Sequence, residues 1–403
     1  MNQYLEMLKP WWICLTLAFL FSCETKNKEM TFAEDFAFMK NHTNAFVLEN
    51  DEDAKLLLVP EYQGRVMTST TGAGNDYSFG WINYELVKSG EFSPHISPFG
   101  GEDRFWLGPE GGQFSLFFAN GASFDLQHWY TPAAIDTVSY DLVNRTSKSA
   151  KFQKEIEIIN YADFTFHLAL DRTIQLLDKQ QISQLLKVEI PSSISQVGYS
   201  SDNKITNIGE LAWQKENGLL SIWILGMYKP SPSATIIIPN QKKESKLKVN
   251  DQYFGSISKE RLKVADAIYF KADGRSRGKI GLPFDFAPEV MGSYDAANQV
   301  LTIVTYNKPD SAVAYVNSLW EMQEKPFSGD VINAYNDGPP EPGADQLGPF
   351  YELETSSPAL ALTPGCSAKH IHTTFHFQGD EKSLDKIAKD VLGIGLIGNE
   401  HLF

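Results

Sequence analysis

The sequence predicts an all-β fold: one large antiparallel β-sandwich with few short helices. Short runs of Val, Ile, Thr and aromatic residues alternate at period two, as a half-buried pleated surface requires. Turn pairs separate them: Asn120-Gly121, Asn217-Gly218, Asp273-Gly274 and Asp337-Gly338. No repeat of 20–50 residues and no long Gly/Ser/Pro linker interrupts the pattern, which disfavours propellers, solenoids and two separate domains.

The strands are read at 154–159 (KEIEII), 164–170 (FTFHLAL), 187–190, 221–225 (SIWIL), 235–239 (TIIIP) and 300–306 (VLTIVTY). Others are read at 331–335, 350–354 and 370–377 (HIHTTFHF), and β structure is expected from about Phe32 onward. The total comes to about eighteen strands in one sandwich. The clearest helix is 382–392, where Leu384, Ile387, Ala388, Val391 and Leu392 form one stripe and Gly393 supplies the stop.

Composition narrows the partners. The 403 residues carry 35 Lys plus Arg against 50 Asp plus Glu, a formal net charge of -15. A nucleic-acid surface would need a basic field, so no nucleic-acid partner is expected. A chain this long buries a core without disulfides, and its 3 Cys are consistent with that.

The first residues read as an address. Lys9 precedes an apolar run from Trp11 to Phe21, about half of the ~20 residues a bilayer span needs. A charged start, a short apolar stretch and Ser22 before Cys23 describe a secretory signal. Leu20-Phe21-Ser22-Cys23 resembles the bacterial lipobox, in which the cysteine is acylated. The expected organisation is a signal at 1–22, a lipidated tether at 23–32 and one sandwich domain at 33–403. It places the protein on the periplasmic side of the envelope, anchored in the outer membrane by lipid on Cys23. Cys366 alone then remains, so no internal disulfide can form.

Three stretches carry chemistry. SPFGGEDRFWLGPEGG (97–112) packs five glycines with Glu102, Arg104 and Trp106. No Lys-Ser/Thr follows and no helix opens, which argues against a phosphate cradle. Arg104 offers a planar fork of donors and Trp106 a flat apolar face. A pyranose needs that pairing, with hydroxyls at its rim and C–H groups on its faces. A folded loop whose Glu and Arg pair with each other is the plainer alternative.

The second stretch, DVINAYNDGPPEPGADQLGPF (330–350), ends a strand in Tyr335, Asn336 and Asp337. These residues could hold sugar hydroxyls; their spacing matches no EF-hand loop. In the third stretch, Glu352 and Glu354 share one face of a strand, and His370, His372, Thr374 and His376 share one face of another. Three imidazoles on one face could bind zinc, supply an acid or base, or sit hydrogen-bonded. No metal and no cofactor is expected. Trp223 reads as core, and Trp213 as core or as a stacking platform.

VPEYQGRVMTST (59–70), TNIGELAW (206–213) and YELETSSPALALTPG through HTTFHF (351–377) resemble the aldose 1-epimerase, or galactose mutarotase-like, superfamily of β-supersandwiches. FGGEDRFWLGPEGG is similar to a lipoprotein group of unassigned function within it, common in Bacteroidetes. The resemblance implies a carbohydrate ligand and puts Glu354 where the superfamily has its catalytic base. Mutarotases also use two histidines. Here those positions read Phe99-Gly100-Gly101 and Asn207-Ile208, and neither is His. The missing partner would come from His128, His167 or His372, and simple anomerisation loses support.

The expected site therefore has Glu354, His372 and Arg104 as catalytic groups and Glu102, Trp106, Tyr335, Asn336, Asp337 and His370 as substrate-binding groups. The expected function is glycan utilisation, by sugar isomerisation, epimerisation or β-elimination, or by sugar binding without turnover. A scaffold whose cleft is filled by apolar side chains is the third possibility.

Overall fold

A computed structural model describes residues 30–72, 74, 76–240, 249–341, 343–398 and 402–403. The expected signal, Cys23 and most of the expected tether lie outside the described residues. The described residues form eighteen strands and five α-helices.

The first nine strands are β1 (Phe46–Glu49), β2 (Lys55–Val59), β3 (Arg65–Thr70), β4 (Arg104–Gly108), β5 (Asp141–Arg145), β6 (Ser149–Ile159), β7 (Thr165–Leu176), β8 (Ser195–Asn207) and β9 (Ser221–Tyr228). Then come β10 (Ala234–Pro239), β11 (Leu262–Val264), β12 (Ala267–Lys271), β13 (Gly278–Pro283), β14 (Val290–Asp295), β15 (Val300–Tyr306), β16 (Asp330–Asn336), β17 (Tyr351–Ser356) and β18 (Ser367–Gln378). The helices are α1 (Phe32–His42), α2 (Tyr84–Ser89), α3 (Ala133–Asp136), α4 (Lys179–Leu186) and α5 (Glu381–Leu392).

The strands make a ten-stranded sheet in the order β11-β12-β10-β14-β15-β18-β8-β7-β6-β5. A five-stranded sheet runs β13-β16-β17-β9-β4, and a three-stranded one β1-β2-β3. Every pairing is antiparallel, including the long β18–β8 and β6–β7 ladders. The architecture is the all-β sandwich that the alternation predicts.

The core explains the layering. Ile236, Ile268, Phe270 and Met291 of the large sheet meet Ile280, Ile332, Ala334 and Leu353 of the five-stranded sheet in one buried cluster. The other face of the large sheet is covered by helices: Leu384, Ile387, Ala388 and Leu392 of α5 pack on Leu301, Ile303, Phe375 and Phe377. Burying each Leu, Ile, Phe or Met side chain among them contributes about 1.5–3 kcal/mol. β18 is therefore buried on both faces. α5 starts where Asp380 accepts from Ser383 N and stops at Gly393, whose φ of 70° is left-handed.

Two elements differ from expectation. The chain at Phe32 opens a helix, not a strand: Thr31 accepts from Glu34 N, and the Glu34 carboxylate accepts from Thr31 N. That capping box satisfies two orphan N–H groups at once. Phe32, placed at the end of the tether, is buried. Residues 187–190 form no strand; Lys187 closes α4 in the left-handed region at φ 56°.

Candidate functional site

The five-stranded sheet has one face on the core and one face on a cleft of about 410 Å³. Period-two alternation decides which side chains reach the cleft. They are Arg104 and Trp106 of β4, Trp223 and Leu225 of β9, Glu352 of β17, Tyr335 of β16 and Lys279 of β13. Connecting segments raise the walls with Glu110, Trp129, Phe254, Trp320 and Phe350, and His95, Arg277, Asp337, Asp345 and Leu347 also line it.

Register places these groups in rows. One row joins Arg104, Leu225, Glu354 and Asn333; the next contains Lys279, Tyr335 and Glu352. Two ion pairs cross between the rows. Arg104 Nη2 lies 2.8 Å from Glu352 Oε1, and Lys279 Nζ lies 3.0 Å from Glu354 Oε2. Each cation also sits over an indole: Arg104 is 4.3 Å from the Trp106 ring and Lys279 4.6 Å from the Trp223 ring. Trp223 Nε1 donates to Glu354 Oε2 at 2.9 Å.

Burial sets the proton affinities. It pushes the Glu352 carboxyl up to about 8 against the pull of Arg104, with Glu354 adding repulsion. It also raises Glu110, against the attraction of Lys279. For Lys279 burial pulls downward, but Glu354 and Glu110 outweigh it and hold the ammonium above its ordinary value. Asp337 is raised by burial although Tyr335 donates to its Oδ1 at 2.5 Å.

Several polar atoms here have no protein partner among the described residues. They are Arg104 Nε and Nη1, Trp106 Nε1, Trp129 Nε1 and Glu354 Oε1, all buried. Buried donors are normally paired, so unmatched ones lining a cleft suit a ligand that brings acceptors.

Of the expected site residues, Arg104, Trp106, Tyr335 and Asp337 line this cleft. Glu354 shares their sheet face but lies beneath its floor, fully buried behind Lys279 and Trp223. The carboxylate that lines the cleft is Glu352, two residues earlier on the same strand.

Four expected residues point elsewhere. His370 Nε2 and His372 Nδ1 both bond Thr355 Oγ1, at 2.8 and 2.9 Å, on the inner face of β17. Burial lowers the two imidazoles to about 3 and about 4, so both are neutral inside the sandwich. Glu102 is also internal, accepting from Ser69 N at 2.6 Å and contacting His376 Nε2 at 2.9 Å. Asn336 turns to the 273–276 segment, where Gly274 N donates to its Oδ1 and its Nδ2 donates to Ser276 O. His370 and His372 share Thr355 Oγ1, while His376 bonds Thr302 and Glu102, so the three strand imidazoles do not converge on one point.

The proposed substitutes for the missing histidines also lie outside. His128 pairs with Asp125 and His167 with Glu157, both exposed. His95 is the histidine that lines the cleft, its Nδ1 2.6 Å from Trp129 O. Trp213 is core, edge-on to Phe166 at 5.4 Å. Trp223 is buried as expected, yet it also lines the cleft.

Sequence reasoning missed Lys279, Arg277, Trp129, Trp320 and Phe254, and left Glu110 and Glu352 unassigned. Glu352 had a signal in its shared face with Glu354. Lys279, in GKIGL, had none beyond being a lysine inside an apolar run.

The chain is similar to solved structures at low identity. Slr1438 protein of Synechocystis sp. PCC 6803 matches at 14% identity with a TM-score of 0.49, covering 83% of this chain and 96% of that one. A galactose mutarotase-like protein of Lactobacillus casei ATCC 334 matches at 11% identity and TM-score 0.43, covering 83% and 100%. A galactose mutarotase related enzyme of Lactobacillus acidophilus matches at 10% identity and TM-score 0.46, covering 83% and 97%. No curated protein matches the sequence. The cleft is therefore read from its own residues. The model of a family of unknown function, DUF6786, matches residues 30–402, and the chain belongs to that family.

Proposed function

We propose that the protein is carbohydrate-active and that its cleft carries a proton to or from a bound sugar. One observation supports this above the others: Glu352, raised to about 8, sits beside Arg104 in an aromatic-walled cleft of sugar-accommodating size. Tryptophan faces suit the C–H faces of a pyranose, while guanidinium, ammonium and carboxyl groups suit its hydroxyl rim. A carboxyl poised near 8 exchanges its proton readily at neutral pH. Arg104 then stands beside the negative charge that develops when a proton leaves carbon next to a carbonyl. Isomerisation, epimerisation and β-elimination share that step. In this reading Glu352 takes the role expected of Glu354, and Glu354 holds Lys279 in place.

The test is proton NMR of a sugar panel in deuterated water. Deuterium entering a carbon position with the wild type, and a loss of about 10²–10⁴-fold with Glu352→Gln, is expected. Saturation transfer without deuterium entry would leave the second reading, a sugar-binding protein. The fixing of both acids at the floor in ion pairs favours that reading.

We also infer export and lipid anchoring through Cys23 in the outer membrane, facing the periplasm. The support is the charged start, the apolar run and Leu20-Phe21-Ser22-Cys23. Labelled palmitate should enter the wild type and not Cys23→Ala; equal labelling of both would reject the anchor.

A further inference from the structure

We propose that the sugar this cleft takes carries an anionic substituent, a carboxylate or a sulfate ester, and that Arg277 receives it. The inference rests on the carbohydrate reading above and adds the class of sugar.

The argument is one of uncommitted charge. Arg104 is paired with Glu352, and Lys279 with Glu354. Arg277 closes no ion pair and no hydrogen bond with any described residue. Its guanidinium instead lies 3.7 Å from the centroid of the Phe254 ring, where it lines the cleft. Phe254 is in turn edge-on to Tyr335 at 5.9 Å and to Trp320 at 6.1 Å, so the platform beneath the guanidinium is itself braced. A planar fork held flat on a ring loses little freedom when an oxyanion arrives, and it matches two oxygens at once.

The acids of the cleft do not fill that role. Glu110 and Asp337 feel the charge of Arg277, but burial pushes both toward their neutral forms, and Asp337 already accepts from Tyr335 and Gly348. Asp345 is exposed at the mouth, where solvent and salt screen it. Deeper in, Arg104 keeps Nε and Nη1 without a protein acceptor although only 2% of the residue is exposed. Two guanidinium groups therefore have donor capacity left, in a chain whose net charge is -15. That local cationic lining against an acidic whole points to an anionic ligand.

Calorimetry on the folded protein decides the matter. The probes are tri-galacturonate, neutral galactotriose and a sulfated galactotriose, each at low and at physiological salt. An acidic trimer should bind roughly tenfold to a hundredfold more tightly than the neutral one. That gap should narrow as salt rises. Arg277→Gln should remove it, and Arg277→Lys should restore part of it. Preference for galacturonate assigns a carboxylate; preference for the sulfated trimer assigns a sulfate ester. Equal or tighter binding of the neutral trimer overturns the inference and leaves the carbohydrate reading standing. An acidic preference that survives Arg277→Gln overturns the assignment to Arg277. Binding of no saccharide here or across the sugar panel overturns both readings.

Discussion

Glu354→Gln tests whether the floor of the cleft is built as described. The substitution keeps size and shape but removes the charge facing Lys279, which is 5% exposed. Removing one partner of a buried ion pair costs about 3–5 kcal/mol, because the other charge stays buried and uncompensated. One feature puts the cost at the low end: a Gln carbonyl can still accept from Trp223 Nε1 and from Lys279. The expected destabilisation is about 3 kcal/mol. Urea unfolding followed by tryptophan fluorescence reads it as a lower midpoint at unchanged slope. The double variant Lys279→Met/Glu354→Leu should recover most of the loss, since an apolar pair of similar volume often matches a buried ion pair. A single variant within about 0.5 kcal/mol of wild type, the range of ordinary surface changes, would refute the reasoning. The pair would then be a solvated one and Glu354 would be free for other work.

Glu352→Gln should change the pH dependence of stability. The folded carboxyl sits near 8 against an ordinary 4.5, so its contribution is complete below pH 4.5 and is lost as pH rises through 8. Relative to wild type the variant should gain stability across that window, by at most about 1.4 kcal/mol per pH unit; a parallel pair of curves would show that Glu352 titrates normally. His370 and His372 act in the opposite sense. Held at about 3 and about 4 against 6.5, they contribute stability above pH 6.5 that is lost as pH falls toward 4. Replacing both with Asn should flatten the acid limb of an unfolding series, and an unchanged limb would count against burial as its cause. Gly100→Ala should cost at least about 3 kcal/mol in the same urea assay, because φ there is 98° and an added Cβ would lie 2.1 Å from Trp81 O. A midpoint equal to wild type would show that the backbone relaxes.

The sheet architecture was legible because both sheets obey period two over many strands. β15 was bounded at both ends from VLTIVTY alone, and α5 at its C-terminal end from its apolar stripe and Gly393. α1 had a signal too, in Thr31-x-x-Glu34, although β structure is the expectation from about Phe32 onward. The site was half legible. SPFGGEDRFWLGPEGG announced Arg104 and Trp106 because a Gly-rich run with a lone Arg and Trp is unusual. Alternation correctly put Glu352 with Glu354, and His370 with His372. What it could not say is which layer would cover each face. HIHTTFHF shows a polar side and an apolar side; only α5 and the five-stranded sheet, distant in sequence, turn both into interior. Depth has the same origin: Glu354 lies below Glu352 because Trp223 and Lys279 close over it from two other strands.

The crossed ion pairs give that arrangement its rigidity. In a simple row each cation would meet the carboxylate of its own register step. Here Arg104 belongs to the row of Glu354 and bonds Glu352, while Lys279 belongs to the row of Glu352 and bonds Glu354. Together they tie β4, β17 and β13 across the five-stranded sheet. A slip of one residue in β17 would send both carboxylates to the opposite face and strand both cations. Thr355 locks the same strand from behind, bonded to two neutral imidazoles of β18. Glu352 thus has no route to water by movement of its strand, and its raised proton affinity follows from that confinement. A carboxyl on a mobile loop would swing out, solvate and ionise at its ordinary pKa. Placing the acid on a central strand clamped on both faces is what lets the fold hold a proton at neutral pH.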